Sequence, residues 1–111
     1  MAISFADLIE KPFVLPPVEV DITGLPEALL VHQFTMNQMA ELMEHEEGAE
    51  PELVLRNQVL QFLNGFDYSP TEEARSQLGD MFASWQLREL YNKAIRLNGF
   101  GPEALRDAQK N

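Results

Sequence analysis

Two periods of apolar residues run along the chain. Val18-Glu19-Val20-Asp21-Ile22 alternates apolar with acidic, which predicts a half-buried strand over 18–22. Thr23-Gly24-Leu25-Pro26 breaks it, and Leu29-Leu30-Val31-His32-Gln33-Phe34 supplies a second strand against the first. Before them, Phe5, Leu8 and Ile9 have the spacing of a short amphipathic helix that Pro12 ends, and Pro16-Pro17 marks a rigid extended stretch.

From Thr35 the period changes to that of a helix. Thr35-Met36-Asn37-Gln38 fits a capping box, in which the Thr hydroxyl and the Gln side chain each satisfy a free backbone N–H. Met36, Met39, Ala40 and Met43 then recur at i, i+3, i+4 and i+7 and predict the inward face. Residues 46–50 read as an acidic loop. Pro51 suits the first turn of the next helix, with Leu55, Val59, Phe62 and Leu63 on one face. Asn64-Gly65 is a stop with a left-handed glycine. Ser69-Pro70-Thr71-Glu72 predicts a start with Ser69 as the cap, and Gly79 predicts the end of that helix. A further helix is expected from a Ser84 cap to Asn98-Gly99. Its inward residues are Leu87, Leu90, Tyr91, Ala94 and Leu97, with Arg88, Glu89, Asn92, Lys93 and Arg96 facing water. Gly101-Pro102-Glu103 opens a last short helix. The expectation is a mainly α fold, with a small N-terminal β element followed by a compact bundle of four or five helices. It forms a single domain over 1–111, extended or β over 1–34 and helical over 35–111.

Composition narrows the function. A chain of 111 residues with 45% hydrophobic residues can bury a core without staples. It has no cysteine, which removes disulfides, iron–sulfur clusters, thiol nucleophiles and thiolate zinc sites. The net charge of −10 lies entirely in residues 1–55, where 11 acids face only Lys11, while residues 56–111 balance at 7 acids and 7 bases. Such a chain repels phosphate, so neither nucleic acid nor an anionic membrane is an expected partner. The start, with its early Asp7 and no basic residue before it, does not read as a signal peptide. No apolar run approaches the roughly 18 residues that span a bilayer.

Candidate chemistry is sparse. Glu41 and His45 stand at i, i+4 and offer two ligands for a divalent metal, fewer than a site needs; a solvated acidic helix end accounts for them. His32 lies in an apolar stretch and reads as structural. No serine has a nucleophile-elbow context, and the glycines sit at helix ends and loops, not in a phosphate loop. No catalytic, cofactor or metal residue is assigned, and the expected activity is protein binding, not catalysis. The signal left is apolar excess at both ends: Phe5, Leu8 and Ile9 at one, Phe100 and Leu105 at the other. Either both ends fold back on the core, or these residues dock on a partner as amphipathic helices do in grooves.

The C-terminal part resembles a known family. Leu87-Arg88-Glu89-Leu90-Tyr91-Asn92-Lys93-Ala94-Ile95-Arg96-Leu97-Asn98-Gly99-Phe100, followed by Pro102-Glu103-Ala104 and Lys110-Asn111, is similar to the tail assembly chaperones of long-tailed bacteriophages and prophages. Phe34-Thr35 opening a helix and Ser69-Pro70-Thr71-Glu72 before the last long helix fit the same layout. The specific part of the likeness is residues 84–111, and its motifs are mostly caps and core positions. The resemblance implies a non-enzymatic factor without cofactor. It would bind the tape measure protein, help recruit tail tube protein in the host bacterial cytoplasm, and be absent from the mature virion. A homo-oligomer is left open. Three other readings stand beside it: an acidic phage-encoded inhibitor that mimics nucleic acid, another small protein-binding adaptor, and a metal-dependent enzyme built on His45 and its neighbouring glutamates.

Overall fold

The structure, a computed structural model, describes residues 2–12, 14–44 and 47–99. Helix α1 (Phe5–Glu10) leads to β1 (Val18–Val20) and β2 (Leu29–Val31). Then come α2 (Met36–Met43), α3 (Pro51–Asn64), α4 (Glu72–Met81) and α5 (Ser84–Leu97). The fold is mainly helical with a two-stranded β element near the N-terminus, as the periodicity predicts. The strands are antiparallel, with Val18 opposite Val31 and Val20 opposite Leu29. Both are shorter than expected. Ile22 is buried in the turn that follows β1, and beyond β2 the His32 N–H leaves the ladder to donate to the Phe62 carbonyl at the end of α3 (2.8 Å).

Phe62, Met39, Leu78, Leu90, Val31 and Val59 are fully buried and join both strands to α2–α5. Phe62 sits at the centre. Its ring stacks on Phe34 at 5.4 Å and meets Tyr91 edge-on at 6.5 Å, while Phe34 meets Phe66 edge-on at 5.8 Å. Such pairs add about 0.5–1.5 kcal/mol each beyond the area they bury. Gln58 is the buried polar side chain of the core, and its amide donates to the Leu42 carbonyl at the end of α2 (3.0 Å). That carbonyl has no partner within its own helix, so the bond satisfies two groups at once.

Several helix boundaries differ from expectation, each for a nonlocal or competing local reason. The Thr35–Gln38 capping box forms as predicted. The inward face of α2, however, is Met39 and Leu42 with Met43 half-buried, while Met36 is 83% exposed and Ala40 is exposed. The first turn of α2 projects past the core, so an apolar Met36 there buries nothing. Thr71, not Ser69, caps α4, its hydroxyl accepting the Ala74 N–H (3.1 Å). Two cap-forming residues flank Pro70, and the later one wins. Helix α4 passes through Gly79 to Met81. A Cβ at Gly79 would come within 3.1 Å of Arg56 Nη1, so the bare backbone accommodates the guanidinium instead of ending the helix. Ala83 occupies the cap position of α5 and Ser84 opens it; the Gln86 side chain accepts the Ala83 N–H (2.8 Å). Gly65 does stop α3, at φ 109° and ψ 161°. That is not the left-handed helical conformation but an extended region that glycine alone adopts readily.

The end of α5 carries a long-range polar link of its own. Asn98 Oδ1 accepts the Phe34 N–H (2.6 Å), and its amide donates to the carbonyls of Ala94 (2.9 Å) and His32 (3.4 Å). One side chain therefore caps α5 and fixes the junction between β2 and α2.

Candidate functional site

Two surfaces have the character of binding sites. The first is α1. Ser4 Oγ accepts the Asp7 N–H (3.2 Å), and the Lys11 N–H donates to the Asp7 carbonyl (3.0 Å), so the single turn is capped at both ends. None of its residues is buried. Phe5 is 77% and Ile9 63% exposed at i, i+4, on one side of the helix; Leu8 is half-buried. Of the two alternatives for this end, exposure of Phe5 and Ile9 favours a surface, while Leu8 keeps a partly covered position. A six-residue helix has too few apolar positions to cover the core's edge and also close its own sides. Phe100 and Leu105, the other proposed docking residues, lie outside the described residues, as do the helix expected from Gly101 and His45.

The second surface is a pair of adjoining recesses over α3. One, of about 420 Å³, lies between the start of α3 and α5, with Val54, Leu55 and Tyr91 as its apolar part and Glu52, Arg88 and Asn92 at its edge. The other, of about 300 Å³, lies between α2 and α3, bordered by Glu41 and Glu44. Val54 and Gln58 line both. Arg88 is held by Glu52 across the mouth at 2.7 Å. Both side chains are largely exposed, so the pair is worth little to stability. Burial pushes the Tyr91 hydroxyl above its ordinary value, which keeps it a neutral donor.

Of the side chains predicted to face water along α5, Arg88, Asn92 and Arg96 are exposed as expected, while Glu89 and Lys93 are half-buried and serve the fold. Glu89 accepts the Thr23 N–H (2.7 Å), and Lys93 bridges Glu89 (3.3 Å) and the Asp21 carbonyl. The Thr23 N–H lowers the Glu89 carboxyl below its ordinary value, and Lys93 adds to the shift against desolvation. Gln86 donates to the Thr23 carbonyl (3.2 Å), and the Trp85 ring, 54% exposed, lies against Gly24. This cluster holds the β1–β2 turn onto α5.

Among the described residues, no group of three or more His, Asp or Glu side chains is placed to hold a metal ion. His32 lies against Gly65, whose missing side chain leaves room for the imidazole. No helix among the described residues is long and apolar enough to cross a membrane. No family model, curated protein or solved structure matches the chain.

Proposed function

We propose that the protein is a non-enzymatic tail assembly chaperone of a long-tailed phage or prophage. On this reading it binds the tape measure protein and helps recruit tail tube protein in the host bacterial cytoplasm, then leaves before the virion matures. The observation that carries the reading is α1, a capped helix that holds Phe5 and Ile9 away from the core. Apolar side chains kept in water at a helical spacing suit transient capture of another protein's apolar surface. The resemblance over residues 84–111 supplies the identity of that partner. The adjustable apolar surface of an assembly factor also fits Met36 and Met81, both exposed and both flexible.

The test is a tagged pull-down from cells that express the protein with its native neighbours, read by mass spectrometry at low and high salt. Recovery of a long helical tape-measure-like protein or a tail tube subunit at both salts is the expected result, and Phe5→Asp with Ile9→Asp should abolish it. Recovery of a DNA-binding enzyme that is lost at high salt would overturn the reading in favour of the acidic inhibitor.

A further inference from the structure

We propose that the groove over α3 is a second docking site, one that receives a cationic amphipathic helix of a partner protein. The two recesses adjoin along α3, where Val54 and Gln58 line both, one facing α2 and the other α5. Its floor is apolar at Val54, Leu55 and the Tyr91 ring. Helices α3 and α5 pack directly on each other, and the furrow beside such a pair is where a third helix lays its side-chain ridge. The Tyr91 hydroxyl donates to the Met43 sulfur at 4.0 Å, a weak acceptor that an incoming carbonyl or carboxylate oxygen would outcompete.

Charge selects the occupant. Glu41 and Glu44 border one end and Glu52 the other. Among the described lining residues Arg88 is the only cation, and Glu52 neutralises it, so Glu41 and Glu44 supply the net charge. The field over the groove is negative, which attracts lysine and arginine on a partner helix and speeds its approach. The same field disfavours this chain's own α1, which carries Asp7 and Glu10. A second copy donating that arm is therefore the poorer fit. The groove is separate from the α1 surface, so its role does not depend on the tail-assembly reading.

The probe is a synthetic leucine–lysine amphipathic helix, with a leucine–glutamate peptide of the same pattern as control, titrated into the full chain by fluorescence anisotropy at low and high salt. The expected result is one-to-one binding of the lysine peptide, weakened by salt, and none of the glutamate peptide. Val54→Arg should weaken it by about tenfold or more, by blocking the floor and opposing the peptide's charge. Glu41→Lys with Glu44→Lys should weaken it at low salt and flatten the salt dependence. Both acids are exposed, so this variant answers the question even if Val54→Arg unfolds. Phe5→Asp with Ile9→Asp should leave the affinity unchanged. Absence of binding, binding untouched by the rim variant, or binding abolished by the arm variant would each overturn the proposal.

Discussion

Helices α1 and α5 are both amphipathic, both capped, and opposite in fate. Helix α5 buries Leu87, Leu90 and Ala94 completely. Helix α1 buries none of its residues fully, Leu8 being half-buried. The difference lies in length and in what surrounds each helix. Fourteen residues give α5 three inward turns, and Glu89, Lys93, Gln86 and Asn98 tie it to backbone groups far along the chain. Six residues give α1 one turn, below the length at which a helix is stable alone. Among the described residues its hydrogen bonds are local, from Ser4 to Lys11. An apolar stripe thus becomes core only where long-range polar contacts fix its helix in place; without them it remains available surface.

The largest effect expected from this contrast is at Phe62→Ala. Loss of the central ring removes the contacts with Phe34 and Tyr91 and should cost about 3–5 kcal/mol, read as a lower urea midpoint. Asn98→Ala comes next. It leaves the Phe34 N–H without its acceptor and should cost about 1–3 kcal/mol, with hydrogen exchange at Phe34 accelerated. A melt unchanged by this substitution would mean that the tie is not what separates α5 from α1. Equivalent caps on the two kinds of helix test the same idea. Thr71→Ala on α4 should cost about 1 kcal/mol of global stability, whereas Ser4→Ala should leave the melting temperature unmoved.

The acid limb gives a further check. Glu89 has a lowered folded value, so its contribution is fully present above the ordinary carboxylate value of 4.5 and disappears as pH falls through the folded value. Glu89→Gln should therefore lose less stability than the wild type between pH 5 and pH 3, measured by urea unfolding. A similarly small effect is expected of Phe5→Asp, within about 0.5 kcal/mol of wild type. A drop of several kcal/mol would place Phe5 in the core and remove the arm as a binding surface.

Much of the fold is legible from local chemistry. The capping box at Thr35, Pro51 at the start of α3, the glycine stop at Gly65 and the inward face of α5 depend on groups within a turn or two, and each forms where expected. The misreadings fall where distant residues decide. Gly79 looks like a helix breaker until Arg56 lies across it. Met36 looks buried until the first turn of α2 passes the core's edge. Glu89 and Lys93 look solvated until the turn at Asp21–Thr23 reaches them. Of the candidate sites, α1 is readable from Phe5, Leu8 and Ile9 alone. The groove is not, because Glu41, Val54 and Tyr91 come from three helices and share no spacing in sequence.

The Asn98 link sets an order on synthesis. The Phe34 N–H is made 64 residues before the side chain that accepts it. At about 5–20 residues per second, a ribosome takes roughly 3–13 seconds to cover that gap. During that interval, the hinge between β2 and α2 has its strand and its helix but not its clasp. The emerging polypeptide must hold Phe34 and Phe62 without α5 to cover them. Closure of the hinge waits until α5 and Asn98 have been made, so a pause between residues 62 and 98 would prolong exposure of the aromatic cluster, whereas a pause before residue 34 would not.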